Sequence, residues 1–269
     1  MPFDDDRLAA ELAEQAGKLL LDLRAEGCEP ADLRKAGDRL SHEFLAAELA
    51  ARRPGDAVLS EEGKDDPARL AADRVWIVDP LDGTREFGEP GRTDWAVHVA
   101  LWERGALWER GALTAGALTA GALTAGAVAL PAQGQVLATT APPVTPPARE
   151  AGQPLRVVVS RTRPPAFLDR LGEEMSVTLM PLGSAGAKAA AVMLGEADAY
   201  IHAGGQYEWD SAAPAAVALA AGFHASRLDG AALQYNQPDP MLPDILICPV
   251  VLAESLLEAI GAAGATRPH

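Results

Sequence analysis

Two cysteines, Cys28 and Cys248, are all that this chain of 269 residues contains. They are too few for a disulfide framework and suit reduced thiols in the cytoplasm. No stretch approaches about 18 uninterrupted apolar residues, so no membrane span is expected. The N-terminus, MPFDDDRLAAELAEQ, is acidic and lacks the basic flank and apolar core of a signal peptide. Basic residues are scarce, 23 Lys and Arg against 38 Asp and Glu, which leaves a net charge of −15. That balance argues against holding a nucleic-acid polymer by its phosphates. It leaves room for a small anion wherever bound cations invert the local charge. The five histidines, His42, His98, His202, His224 and His269, show no paired metal-ligand spacing and are read as structural.

What remains is 48% hydrophobic and patterned as a globular protein. Asp4, Asp5 and Asp6 can cap a helix that carries Leu8, Leu12, Leu19, Leu20 and Leu23 on helical spacing. A second helix is expected from about Asp38 to Arg53, with Leu40, Phe44, Leu45 and Leu49 inward and Pro54-Gly55 as its stop. Apolar runs at 57–59, 75–78, 95–101, 127–130 and 135–138 read as strands. After a proline-rich stretch from Ala141 to Pro154, strands at 155–160, 197–201 and 245–248 alternate with helices at 183–194, 211–221 and 253–263. The alternation places the chain in the α/β or layered α+β class, with subdomains expected at 1–153 and 154–269.

One block is irregular. LWERGA occurs twice from Leu101 to Ala112, and LTAGA three times from Leu113 to Ala127. Periods of six and five match no solenoid, and the block is too short to bury a core of its own. It reads as a tandem expansion of a hairpin tip whose extra copies project into solvent.

The informative segment is WIVDPLDGTREF, Trp76 to Phe87. A turn alone would use Asp79, Pro80, Asp82 and Gly83, and Thr84 could cap the helix that follows. Two further acidic sites alter that reading: Ser60-Glu61-Glu62 ends the preceding strand, and Trp209-Asp210 precedes a helix. Should these ends converge, Glu61, Asp79, Asp82 and Asp210 would pool like charges. Two carboxylates about 4 Å apart repel by roughly 4 kcal/mol at an effective dielectric near 20. Protons or cations must then fill the cluster, and an all-oxygen donor set favours Mg²⁺ or Mn²⁺ over zinc.

With WIVDPLDGTREF, the upstream SEE and the downstream WDSAAPA, the chain resembles the inositol monophosphatase superfamily of metal-dependent, lithium-sensitive phosphatases. Within it the likeness is to the CysQ-type 3'(2'),5'-bisphosphate nucleotidases, particularly the actinobacterial ones. The resemblance implies an αβαβα sandwich with a metal site between two subdomains. It implies two or three Mg²⁺ ions, with Mn²⁺ as a substitute, held by Glu61, Asp79, the carbonyl of Leu81, Asp82 and Asp210. Glu61 and Thr84 would hold the attacking water. Asp38 would steer a third metal through water, or else cap its helix, and Glu62 would support from behind. Gly83 and Thr84 would present N–H groups to the phosphate from a helix N-terminus.

On the substrate side, Ser160-Arg161-Thr162 resembles the S-R-[ST] of the nucleotidases, where Arg161 could hold a second phosphate in a fork or be an ordinary surface arginine. The turn Gly183 to Lys188 resembles the family's sugar-side loop, with Ser184 and Lys188 as contacts. Tyr207 and Glu208 precede Asp210 in the nucleotidase form E-W-D. Trp209 is read as packing rather than as an adenine stack. The implied reaction is removal of the 3'-phosphate of 3'-phosphoadenosine 5'-phosphate to give AMP and phosphate, in sulfur metabolism. Inositol-1-phosphate or fructose-1,6-bisphosphate hydrolysis, or a non-catalytic metal- or nucleotide-binding role, are the alternatives. The partner implied is a small phosphate ester, with a homodimer left open. A haloacid-dehalogenase-type loop is disfavoured, because Asp79 and Asp82 are one residue too far apart for D-x-D-G-T.

Overall fold

The computed structural model describes residues 5–27, 29–109, 112–115, 121–144, 146 and 152–265. Helix α1 (Asp5–Ala25) buries Leu8, Leu12 and Leu20 on one face. Helix α2 (Pro30–Arg52) buries Leu33, Gly37, Ser41, Leu45 and Leu49, a strict four-residue stripe. It begins earlier than expected, with Pro30 in its first turn, where the missing N–H costs nothing. Asp38 therefore lies inside the helix, which corrects the reading of it as a cap. Leu40 and Phe44 flank the stripe and are only half-buried.

Strands β1 (Ala57–Ser60) and β2 (Arg74–Asp82) lead to the short helix α3 (Thr84–Gly88). Strand β3 (Ala96–Arg104) is followed by a hairpin of β4 (Ala106–Glu109) and β5 (Ala112–Ala115), then by β6 (Gly121–Leu130) and β7 (Gln135–Ala138). These strands, apart from the hairpin, form a five-stranded sheet in the order β1-β2-β3-β6-β7. Strand β1 is parallel to β2, and the remaining pairs are antiparallel. The second half contributes β8 (Leu155–Ser160), α4 (Leu168–Glu174), β9 (Val177–Leu182), α5 (Ala185–Met193), β10 (Ala199–Tyr207), α6 (Glu208–Ala220), β11 (Phe223–Ser226), β12 (Met241–Pro249) and α7 (Val250–Ala262). Its sheet runs β11-β12-β10-β8-β9.

Five layers result. Helices α1 and α2 cover the outer face of the first sheet, and α5 and α6 lie between the sheets in contact with both. Helices α4 and α7 pack together beyond the second sheet. The middle layer is alanine-rich, and its core unites Val75 and Val128 of the first sheet with Val158 and Ile247 of the second. Small side chains let the two helices fit between two sheets.

The repeat block shows a simple relation. Trp102 pairs with Leu123 and Glu103 with Ala122, so the first LWERGA copy meets the last LTAGA copy within the main sheet. Trp108 pairs with Leu113 and Glu109 with Ala112, the same register reproduced in the separate hairpin. Residues 110–111 and 116–120 of the block, like Cys28, His269 and much of the proline-rich stretch, lie outside the described residues.

Candidate metal centre and anion crevice

Strand β2 is buried from Val75 onward and carries two carboxylates to its end. Its pairing with β3 slips between Asp79 and Asp82. The bulge turns both acids to one side, a device that commonly re-aims side chains at functional sites. Ser41 of α2 pins the bend, its hydroxyl donating to the Pro80 carbonyl at 2.7 Å. Asp210 arrives from the first turn of α6, where its Oδ2 accepts the Tyr207 N–H at 2.7 Å. One oxygen each from Asp79, Asp82 and Asp210 lies within 4.8 Å of the others.

The three acids are held differently. Asp82 Oδ2 accepts from the Ser184 hydroxyl at 2.5 Å and the Gly186 N–H at 2.7 Å, and lies 3.2 Å from His98 Nε2. Burial works against its charge. His98, Lys188 and Ser184 nevertheless outweigh that and keep Asp82 below the usual carboxylate range. Asp79 has no such cation. Burial first, then repulsion from Glu61, Asp82 and Asp210, pushes it well above the usual range. Asp210 is pushed up to about 6 by burial and by Asp82. Glu61 stands at the rim, within hydrogen-bonding reach of Asp79, and is pushed up to about 7 by desolvation of its carboxyl and by its acidic neighbours. Without a cation the cluster holds protons. It is a donor set of oxygens alone, with one oxygen each of Asp82 and Asp210 left over from the protein bonds described. Those features fit a hard divalent cation.

Thr84 sits beside this cluster. Its hydroxyl lies 3.0 Å from the Leu81 carbonyl and 3.2 Å from Asp38 Oδ1. Asp38 is itself pushed up to about 6 by partial burial and by Glu62. The helix that Thr84 opens has only five residues, and its cap position is Gly83 at φ 86°, with no side-chain cap. The capping alternative for Thr84 is thereby corrected. The expected helix N-terminus for phosphate amounts to little more than one turn.

Glu61, Asp79, Leu81, Asp82, Gly83 and Thr84 line one wall of a crevice, and Ser160, Arg161, Ser184, Lys188 and Asp210 line the other. Lys188 is buried, with its Nζ donating to the carbonyls of Gly183 (3.1 Å) and Ser184 (2.6 Å). Burial lowers its pKa from the ordinary lysine value. The Ser184 hydroxyl is already spent on Asp82 and on the Ala187 N–H at 2.9 Å. Arg161 reaches the crevice, but its guanidinium donates to Glu86 and Glu89 at 2.6–3.1 Å. Carboxylates thus fill the fork anticipated for a second phosphate, and Arg161 ties the two walls together.

Two expected substrate contacts do not reach the crevice. Glu208 is buried and accepts the N–H groups of Asn236 and Gln237, both at 2.7 Å. Tyr207 points outward and stacks on Trp209 at 4.7 Å between ring centroids. Both precede Asp210 in sequence, but only Asp210 faces the cluster.

Sequence reasoning missed His98. Its Nδ1 lies 3.0 Å from the Trp209 carbonyl while Nε2 faces Asp82, so it joins β3, β2 and α6 behind the cluster. Gly186 makes the space: a Cβ there would fall 2.2 Å from His98 Nε2. The available signal was a lone polar residue within the buried strand Ala96-Val97-His98-Val99-Ala100. His202 and Gln206 on β10, and Arg163 after β8, also line the crevice without having been anticipated as contacts. Burial, with Lys188 and Arg163 nearby, lowers His202 to about 4 and keeps it neutral.

No described helix is long and apolar enough to cross a membrane. The sequence model of the inositol monophosphatase family matches residues 6–264. A 3'-phosphoadenosine 5'-phosphate phosphatase of Mycobacterium bovis is 56% identical over 252 residues, 92% of this chain and 90% of that protein. The protein of the same name from Mycobacterium leprae is 53% identical over 263 residues, 95% and 93% of the two chains. Among solved structures, CysQ from Bacteroides thetaiotaomicron, described as a bacterial member of the inositol monophosphatase family, superposes with a TM-score of 0.71. It is 26% identical and covers 92% of this chain and 98% of its own.

Proposed function

The chain belongs to the inositol monophosphatase family, and from that membership we propose that it is a Mg²⁺-dependent phosphatase that removes the 3'-phosphate of 3'-phosphoadenosine 5'-phosphate. The observation that carries this reading is the convergence of Asp79, Asp82 and Asp210 to within 4.8 Å in a crevice that Arg161, Arg163 and Lys188 also line. The names of relatives more than half identical supply the substrate. The division into 1–153 and 154–269 is retained as part of the proposal, with the crevice as the seam.

Asp79, Asp82, Asp210 and the Leu81 carbonyl would hold the cations, with Glu61 closing the shell at the rim. Bound there, Mg²⁺ supplies neutralisation of the phosphate's charge and acidifies the attacking water. The residues do the rest. Thr84 donates its single proton toward Asp38 and turns a lone pair to the water, fixing its direction. Glu61 accepts the proton that the water loses. The bond from the water oxygen to phosphorus forms as the ester P–O bond breaks, and the ribose 3'-oxygen takes up a proton from solvent, so that AMP leaves with its 3'-hydroxyl and inorganic phosphate is released. Lys188 and the N–H groups around Gly83 face the phosphate. His98 acts through Asp82, holding its carboxylate in place.

Phosphate release from 3'-phosphoadenosine 5'-phosphate, inositol-1-phosphate and fructose-1,6-bisphosphate, measured side by side with Mg²⁺, tests the assignment. The nucleotide should have the highest kcat/KM. A higher value for either sugar phosphate would transfer the assignment to that substrate.

A further inference from the structure

Asp210 is the carboxylate that the second half of the chain brings to the acidic cluster. Its place beside Asp79 and Asp82 depends on where the first turn of α6 docks. Mg²⁺ tolerates little departure from octahedral geometry, so that docking has to be tightly set.

The turn is fastened on its far side, away from the crevice. Glu208 opens α6 two positions before Asp210, about 200° around the helix from it. It is 1% exposed, and its two carboxylate oxygens accept the N–H groups of Asn236 and Gln237 at 2.7 Å each. Asn236 has a left-handed φ of 58°, which turns two successive N–H groups toward one anion. The Glu208 N–H donates to the Pro240 carbonyl at 2.8 Å, and the Tyr235 hydroxyl donates to Ser211 Oγ at 3.3 Å. The segment 235–240 is thereby clamped to the turn that carries Asp210.

Arg69 reaches the same segment from the first half. It stands on the short helical turn Pro67–Ala71 between β1 and β2, and it too is 1% exposed. Its guanidinium donates to Asn236 Oδ1 at 2.8 Å and to the Gln237 carbonyl at 2.9 Å. Asp65 takes the rest of the fork at 2.6 and 3.1 Å, and Asn236 Nδ2 returns a bond to the Arg69 carbonyl at 3.2 Å. A planar fork spent on a carboxylate and two loop oxygens permits one arrangement. Bonds therefore run without a break from the β1–β2 connection, through Arg69, Asn236 and Glu208, to the ligand-bearing turn.

We propose that Arg69, Asn236 and Glu208 are positioning residues that set Asp210 at the metal centre. None of the three lines the crevice, so their effect on a cation passes through Asp210. The inference rests on the metal reading above and deepens it by naming what places one of the ligands.

Mn²⁺ binding to chelator-stripped protein, read from loss of the free ion's electron paramagnetic resonance signal, tests this without turnover. Arg69→Met should weaken binding about tenfold, the scale for groups that orient a metal ligand. Arg69→Lys should restore part of the loss. Glu208→Gln, which keeps the shape and gives up one acceptor oxygen, should weaken binding severalfold, and it carries the test should Arg69→Met fail to fold by circular dichroism. The deciding comparison is a double-mutant cycle with Asp210→Asn, in which the ligand is already lost. In that background either substitution should weaken binding by less than about twofold more. An equal loss with and without Asp210 would show a general loosening of the fold and overturn the proposal. Unchanged Mn²⁺ affinity in Glu208→Gln would overturn it as well. Failure of the unaltered protein to bind Mn²⁺ would overturn the metal reading and this inference with it.

Discussion

The two walls of the crevice are opposites. The wall built from β1 and β2 carries Glu61, Asp79 and Asp82, while Asp210 alone joins them from the other half. The wall built after β8, at α5 and on β10 carries Arg161, Arg163 and Lys188. In a chain of net charge −15, this is where scarce cations gather. The acidic wall is poised against itself and stays ionised only where a cation stands beside it, as His98 and Lys188 do for Asp82. The basic wall is partly neutralised by the first half, through the ion pairs from Arg161 to Glu86 and Glu89. All the acidic donors except Asp210 thus come from the first half, and Arg161, Arg163 and Lys188 from the second. The two sets should be separable by mutation.

The largest expected effect comes from the acidic wall. Asp82→Asn or Asp210→Asn should lower kcat about 10³-fold or more, the loss of about 4 kcal/mol of charge stabilisation. The metal-free proteins should sharpen the contrast within that wall. Asp79→Asn should unfold at a higher temperature than the unaltered chain at neutral pH, because the amide spares the cost of keeping a buried carboxyl protonated. Asp82→Asn should unfold at a lower one, because His98 and Lys188 lose their partner. Equal shifts would mean that the two acids share one environment.

The same contrast has a pH signature. Asp79, Asp210 and Glu61 have pKa values raised by folding, the last two to about 6 and about 7. The metal-free fold therefore binds protons more tightly than the unfolded chain. Its stability contribution from these groups is full below about pH 4 and is lost as pH rises toward 7. Denaturant unfolding across that range in chelator should show the decline, and saturating Mg²⁺ should reverse it.

A smaller effect is expected where the walls meet. Arg161→Ala leaves the buried Glu86 without its partner, so the melting temperature should fall by a few degrees. Activity should fall by a similar factor on mono- and bisphosphorylated substrates. A loss confined to bisphosphates would return Arg161 to the role of phosphate fork. The smallest effect is expected far from both walls. Excising residues 107–122 would let Glu103 pair across Arg104-Gly105 with Ala106, the register that Glu109 and Ala112 already show. Thermal unfolding and turnover should be unchanged or improved.

Much of this was legible in the chain. The end of β2 announces itself, because Val75 to Val78 can only be a buried strand and Asp79-Pro80-Leu81-Asp82-Gly83 must then turn. The layered class followed from the alternation of elements. The start of α2 was misplaced because Asp38 resembles a cap, while Pro30 eight residues earlier was the better signal. Tyr207 and Glu208 were misassigned because neighbours of a ligand in sequence point in different directions at the start of a helix. Spacing within a motif fixes which residues are near, not which face they present. His98 acts through contacts with Asp82 and Trp209, more than ten positions away, and such pairings are set by tertiary packing.

The central claim is that a hard divalent cation on the acidic wall is required to hydrolyse a phosphate ester held by the basic one. Protein stripped with chelator and supplied with 3'-phosphoadenosine 5'-phosphate should release no phosphate while its fold persists by circular dichroism. Titrating Mg²⁺ back should restore release in a saturable way. Full turnover in excess chelator would contradict the account.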